Sequence, residues 1–533
     1  RKAFLTCAAG IVIALTLPVH YPAAASSDID RQRDLFRQVY ADVERGNWDA
    51  VDALGADDRA LLREYVLWPD LRAAWFKATI KSTDSSDLEA FLDRHGTLKP
   101  ARELRYSYSL HLARSGQLDR FLRIYRAYYQ GLGVARLDCV ALHAEIEAGD
   151  GDRIQHRGRD LWLTGHSQAK ECDPVFAYMR EQQQLTADDY RARFALAIES
   201  REFTRARWLA RSLDEAMLEQ ANDWLQAQSR PEEFVDAYQH RVNSALTREQ
   251  LAYAVERITY RDPQKALELW IRLESAHSLP AELRHATRRH IALWTARDNL
   301  PGAYDLLTSL PLEVQDKEVM RWRARVSLRA ERWTDLLNDI AMMAADERDS
   351  EQWRYWRGVA MARIGRDIEA RSTLEPLAAE RSYYGFLAAD ELGVAYTFDH
   401  DSLRPDESVI ETLSRRDDLL RARELFLVGL DGRGRSEWDA ALARLSTEQK
   451  TQAALLAHRW GWHSRAIATA ASVGHYDDLA LRYPLPFRQS FEQHATSASI
   501  PTTWAFGIAR SESLFMRDVR SSAGAVGLMQ LMP

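Results

Sequence analysis

The chain of 533 residues is predicted to be all-α, with most of its length a stacked helical-repeat array, and three observations carry that prediction. Its 46% hydrophobic, 28% charged and 10% aromatic content is an ordinary globular balance, far from the composition of disordered chains. Only 24 Gly and 16 Pro are present, too little turn chemistry for the many strand ends of an all-β sandwich or barrel. Apolar residues recur at helical spacing, as in Leu118, Phe121, Leu122 and Tyr125, and again in Ala266, Leu269, Trp270 and Leu273. At roughly 100–200 residues per domain the length corresponds to about three or four domains, or fewer where repeats extend one domain by stacking.

The first element reads as an export address, residues 1–25. Arg1 and Lys2 precede an apolar run from Ala3 to Leu17, followed by Pro18, Pro22 and the triplet Ala23, Ala24, Ala25. That is the layout of a secretory signal peptide, with cleavage expected after Ala25, and the run is shorter than the roughly 20 apolar residues of a membrane span. Cys7 has too short a stretch before it for a lipoprotein leader. Beyond this segment only Cys139 and Cys172 remain. In an oxidising compartment the two invite a disulfide; two independent buried thiols is the alternative.

Residues 26–395 read as a superhelical array of amphipathic helices. Five polar breaks resemble one another: Arg201-Glu202-Phe203, Arg261-Asp262-Pro263, Arg297-Asp298-Asn299, Ala330-Glu331-Arg332 and Gly365-Arg366-Asp367. The last four recur at roughly 33–36 residues, the period of helix-turn-helix solenoids. Trp270, Trp294, Trp322, Trp333, Trp353 and Trp356 lie on these helices, where aromatic residues lock neighbouring helices together more often than they stack on a sugar. The stretch from Tyr396 to Pro405 is loop-like and marks a boundary. Helical signals resume over a linker domain, 406–482, and Tyr483-Pro484-Leu485-Pro486-Phe487 reads as an extended second linker, since both prolines exclude helix interior.

The segment 488–533 carries the chemistry. Pro501 opens a helix on which Trp504, Ile508 and Glu512 share one face, so an apolar stripe ends in a carboxyl group. Partial burial and the negative end of a helix both favour the protonated form of a carboxyl, which is what a general acid for a glycosidic oxygen requires. Next come Ser521 and the run Gly524-Ala525-Val526-Gly527-Leu528-Met529-Gln530-Leu531-Met532-Pro533. Its glycines permit close backbone approach, and the Gln530 amide both donates and accepts.

Glu512-Ser513, Ser521 and the Gly524–Pro533 run resemble the opening motifs of the soluble lytic transglycosylases, periplasmic enzymes with a goose-type lysozyme-like catalytic domain. The resemblance extends to the blocks at Tyr383–Ala389 and Tyr483–Phe487 and to the paired cysteines, which it implies form a Cys139–Cys172 disulfide. It implies three parts in order: a ring-like helical superhelix, a helical linker and the start of the lysozyme-like domain. It also implies cleavage of the MurNAc-β-1,4-GlcNAc bond of peptidoglycan without water. Glu512 would act as acid and then as base, leaving a 1,6-anhydro end, with Ser521, Gln530 and Met532 in the substrate groove. Asp518 is read as a solvated acid, not a catalytic one, and Leu528 and Met529 as packing residues. The family's later Ala-Tyr-Asn-Ala-Gly-Pro segment is absent, so the chain is expected to be a C-terminally shortened form with little activity by itself.

Two rival readings stand beside this one: a hydrolytic muramidase of the same fold, and a periplasmic helical-repeat scaffold that recruits other cell-wall enzymes. Nucleic acid is disfavoured as a partner by 71 Lys+Arg against 78 Asp+Glu, a net charge of -7 without a basic stripe. The 15 His form no ligand-spaced pair with Cys or acids, so no metal and no cofactor is expected. The chain is expected to be a monomer without stable membrane insertion, its partner the glycan strand.

Overall fold

The computed structural model describes residues 23–240 and 244–533. The export segment and Cys7 lie outside the described residues; of the small-residue triplet before the expected cleavage point, Ala23–Ala25 opens the first described helix, Ala23–Glu44. The fold is all-α, as the sequence predicts: among the described residues the only β pairing is two isolated bridges near the C-terminus. No helix of the described residues is long and apolar enough to cross a membrane. Contacts divide the chain into two compact units, one comprising residues up to Phe121 together with His400–Pro533, the other Leu122–Asp399.

Within Leu122–Asp399 the helices pair as antiparallel hairpins, and all five polar breaks fall at the tips of hairpins. Ala187–Glu199 turns into Phe203–Ala210, Ala245–Thr259 into Pro263–Ala276, and Ala281–Arg297 into Ala303–Thr308. Lys317–Arg329 then turns into Trp333–Ala341, and Glu351–Arg363 into Asp367–Ala378. Four of the tips share one device. Arg201, Asn299, Glu331 and Gly365 adopt left-handed φ of 57°, 56°, 53° and 80°. The following amide then reaches back to the last helical turn, as in Arg332 N–H to the Ser327 carbonyl at 2.9 Å and Arg366 N–H to Met361 at 2.9 Å. At the fifth, Asp262 instead caps its helix by accepting from the Lys265 amide at 2.9 Å.

Each hairpin presents apolar residues that only its neighbours can cover, so the cores run from one hairpin to the next. Phe203, Trp224, Phe234 and Trp270 share one core; Met320, Leu336 and Trp353 share another. Of the six tryptophans singled out in the sequence, Trp270 and Trp353 are fully buried and none is exposed, in line with packing. Several buried charges are paired. Arg323 Nε donates to Asp339 at 3.0 Å and Ser327 Oγ to the second oxygen at 2.8 Å, across the hairpin they join. Cys139, in the helix Ala135–Glu147, is bonded to Cys172 in the short helix Lys170–Cys172, with the Cα atoms 4.8 Å apart.

In the other unit the N-terminal helices pack on the linker helices. Leu35, Phe36, Tyr65 and Leu71 share a core with Leu425. The carboxylate of Glu424 is fully buried there and accepts from Arg33 at 2.9 and 3.0 Å and from the Tyr65 hydroxyl at 2.8 Å. Nearby, Arg421 pairs with buried Asp70. Removing one member of such a buried set costs about 3–5 kcal/mol, because the remaining charge is stranded. The linker hairpins Asp417–Leu427/Asp431–Leu442 and Thr447–Arg459/His463–Ser472 come next. Gly434 is required at their crossing: a Cβ there would meet the Ala422 carbonyl at 2.9 Å. Residues 394–406 are coil.

The left-handed tips yield a direct prediction. Glu331 is exposed and holds a conformation that Gly365 adopts without strain one hairpin later. Glu331→Gly is expected to stabilise the protein by roughly 0.5–1 kcal/mol. The readout is a higher urea midpoint with unchanged slope; an unchanged or lower midpoint counts against strain at the tip.

Candidate active site

The last two helices, Arg488–Ser497 and Thr502–Ser513, form a hairpin whose faces meet through Phe491 and Phe506, stacked with ring centroids 4.3 Å apart. Pro501 is the N-cap of the second helix, which starts at Thr502, one residue later than expected from sequence. Its core-facing row is Ala505, Phe506, Ala509 and Ser513. The neighbouring row Trp504, Ile508, Glu512 therefore points outward, with Trp504 59% exposed and Glu512 exposed. The partial burial expected for Glu512 is not found. Two adjacent rows of one helix cannot both face the core, and the smaller residues with Phe506 occupy it. Glu512 forms no ion pair or hydrogen bond with any described residue, so its carboxylate is free for a ligand.

The turn just after Glu512 is the most constrained backbone in the segment. Leu514 and Phe515 both adopt left-handed φ, 50° and 65°. Consecutive non-glycine residues in that region each cost about 1–3 kcal/mol and persist only where surroundings impose them. Here the buried Ser513 hydroxyl imposes it: Oγ lies 2.9 Å from the Ala509 carbonyl and 2.8 Å from the Leu528 carbonyl, clasping the terminal loop to the helix end. Phe515 turns back into the core with Phe491 and Phe506, while Leu528 and Met529 pack partly buried against it, as expected for packing residues.

The terminal loop closes on itself. Arg520 and Val526, then Val526 and Leu531, form the two antiparallel bridges. Ser521 holds the turn: its hydroxyl accepts from the Ala525 amide at 3.0 Å. Gly524 and Gly527 sit at φ 98° and 75°, conformations that glycine permits. The Gln530 amide is turned inward, donating to the carbonyls of Val519 at 3.2 Å and Gly527 at 2.9 Å. Met532 is 64% exposed. Of the residues named from sequence, Glu512 and Met532 thus face solvent, while Ser521 and Gln530 build the loop that carries Met532. An apolar groove of about 630 Å³ is lined by Phe491, Ala495, Val526 and Leu528 among others, and by none of these four residues.

Sequence reasoning missed three anchors of this segment. Arg510 stacks over Tyr483, 4.3 Å from its centroid, and donates to the Arg482 carbonyl at 2.7 Å, fixing the helix to the second linker. Asp518, expected as a solvated acid, lies 3.6 Å from Arg435 of a linker helix. It also faces Asp431, whose carboxyl is pushed up by burial and by Asp518, against the pull of Arg435. Ser513 is the third. A lone serine after a glutamate carries no sequence signal of a clasp; only the fold brings Leu528 to it.

The last helix thus ends beside an exposed acidic side chain, followed by a strained turn and a glycine-containing loop. Similarity to known proteins gives the class. Residues 412–479 match the model of the soluble lytic murein transglycosylase L domain, and 489–533 that of the transglycosylase SLT domain. Soluble lytic murein transglycosylases of Escherichia coli K12 and Salmonella typhimurium are 24% and 25% identical to the chain, over 96% of it and 78% of their own length. Among solved structures, lytic transglycosylase Slt of Pseudomonas aeruginosa, as an inactive Glu-to-Gln mutant, is 29% identical with TM-score 0.71, covering 94% of this chain and 80% of that one. The 70 kDa soluble lytic transglycosylase of Escherichia coli is 24% identical with TM-score 0.78, covering 95% and 80%. By these matches the chain is similar to the soluble lytic murein transglycosylases along nearly all of its length, and its SLT segment is that of an enzyme.

The Ser513 clasp is testable. Ser513→Ala strands the Leu528 carbonyl and is expected to cost about 1–3 kcal/mol. Limited proteolysis should then cut within 516–533 faster than in the unsubstituted protein, while equal cutting rates would show that the hydroxyl does not hold the loop.

Proposed function

We propose that the protein cleaves the β-1,4 bond between N-acetylmuramic acid and N-acetylglucosamine in peptidoglycan, leaving a 1,6-anhydro end. The observation that carries this is Glu512: a free, exposed carboxyl group at the end of a braced helix, within the segment matched as a transglycosylase SLT domain, acting in its protonated form. Glu512 gives its proton to the glycosidic oxygen as the C1–O bond breaks, and the N-acetylglucosamine side leaves as an alcohol. The resulting carboxylate takes the proton of the muramoyl C6 hydroxyl, whose oxygen bonds to C1 and closes the anhydro ring. No water is consumed and Glu512 ends protonated, so one carboxyl serves both steps and the second acid of ordinary glycosidases is not needed. The inactivity of the Glu-to-Gln mutant of the Pseudomonas aeruginosa relative is in keeping with such a role.

Trp504, exposed, and Ile508, partly exposed, lie on the same row as Glu512 and offer the glycan an apolar face, and Met532 is exposed on the terminal loop. Ser521 and Gln530 act here by shaping that loop, with their polar groups engaged internally. On this reading residues 1–25 address the protein to the periplasm, 26–395 form the helical superhelix, 406–482 the linker and 488–533 the lysozyme-like part. A similar 70 kDa soluble lytic transglycosylase has been solved in complex with bulgecin A.

The test is clearance of purified sacculi by the full-length protein. Glu512→Gln is expected to lower the rate by at least about 10²–10⁴-fold, the usual worth of a general acid–base group. Asp518→Asn should stay within a few-fold of the unsubstituted rate. A Glu512→Gln protein that clears sacculi normally, or an Asp518→Asn protein that does not, would remove Glu512 from its assigned place.

A further inference from the structure

The unit Leu122–Asp399 holds a cavity of about 540 Å³ far along the chain from Glu512. Its floor is Arg193, in the helix Ala187–Glu199, only 3% exposed. The guanidinium lies over the Trp162 ring at 4.1 Å and near Phe176 at 5.6 Å. Its hydrogen bonds are two long ones, to the carbonyls of Thr164 at 3.3 Å and His166 at 3.5 Å. No carboxylate among the described residues pairs with it, although buried Arg323 and Arg421 each have one.

The same holds for the other cations of the cavity. Lys170, Arg180 and Arg205 form no ion pair among the described residues, and the buried Arg205 Nε has no hydrogen-bond partner. Burial and the neighbouring Arg205 charge pull Arg193 down to about 10, so the site is strained by like charge yet remains cationic at neutral pH. Lys170 and Arg180 are exposed and Arg205 also donates to the Ser167 hydroxyl, so the cost falls on Arg193: a buried guanidinium without a carboxylate, beside a second one, is a cost that an anion relieves. The Cys139–Cys172 disulfide fixes the wall carrying Lys170 and Asp173, which limits how far these cations can move apart.

The other walls narrow the class of anion. Trp208 is 45% exposed, with its ring 6.3 Å from Trp162, leaving indole surface for the C–H face of a sugar ring. Asp173 and Glu202 also line the cavity; they accept from hydroxyl or amide groups but would repel a doubly charged phosphate. A volume of about 540 Å³ lies in the range of small-molecule sites, about 300–1,000 Å³. From this geometry we infer that the cavity binds a sugar acid, its single carboxylate on Arg193 and Arg205 and its ring against Trp208. The choice of N-acetylmuramic acid as probe rests on the peptidoglycan reading; the sugar-acid class does not.

The experiment is calorimetric titration of the full chain with N-acetylmuramic acid, N-acetylglucosamine, D-lactate and inorganic phosphate. N-acetylmuramic acid is expected to bind saturably, with N-acetylglucosamine, which lacks the carboxylate, and D-lactate, which lacks the ring, each at least about tenfold weaker. Trp208→Ala and Arg205→Gln alter partly exposed residues outside the packed core, and each should weaken N-acetylmuramic acid about tenfold or more with unchanged helical content. Equal binding of N-acetylglucosamine, displacement by phosphate at equal concentration, undiminished binding by both variants, or no binding at all would overturn the assignment. Because the readout is binding in Leu122–Asp399, it stands or falls separately from glycan cleavage at Glu512.

Discussion

A helical hairpin cannot bury the apolar residues of both its faces by itself, and this requirement organises the structure. It explains why cores such as that of Phe203, Trp224 and Trp270 span successive hairpins, and why Trp270 and Trp353 are consumed in packing. It also explains the tips. A tight return at the end of each helix brings the second helix onto the first, and the chain accepts left-handed Arg201, Asn299 and Glu331 to make it. The final hairpin obeys the same rule on one side only: Phe506 and Ala509 are packed, while Trp504, Ile508 and Glu512 are open.

Charge is handled by a second rule that sharpens the contrast between sites. Where guanidinium groups enter the interior they meet carboxylates, as at Arg33–Glu424, Arg421–Asp70 and Arg323–Asp339. These sets join separate helices, and Glu424 ties the N-terminal helix to the linker. Arg193 departs from the rule, and so does Glu512 on the surface, each ionisable and each without a charged partner among the described residues. Departures of this kind are where ligand chemistry is expected.

Much of this is legible in the residues. Sparse Gly and Pro and the 3.6-residue periodicity give the helical class, and the recurrent polar breaks fall at hairpin tips. Tyr483–Phe487 reads as a linker because two prolines exclude helix. The Glu512-Ser513 and Gly524–Pro533 motifs single out the site, because their residue types and order are specific. The orientation of Glu512 is not legible: alternation of apolar residues around one helix admits two facing rows, and only the Phe491–Phe506 stack decides between them. Gln530 departs from expectation for a related reason, since an amide suited to a ligand is equally suited to the carbonyls of Val519 and Gly527. Left-handed Leu514 and Phe515 have no signature, as neither residue favours that conformation. Arg193 is invisible as well, because an arginine in a helix reads as a surface residue until its neighbours are known.

In the proposed mechanism Glu512 performs both proton transfers, with the muramoyl C6 hydroxyl as nucleophile. Mass spectrometry of the soluble products released from sacculi by the full-length protein tests it most directly. The mechanism predicts disaccharide-peptides one water lighter than hydrolysis products and without a reducing end. Products with a free reducing end and the full hydrolytic mass would contradict it and make the enzyme a muramidase.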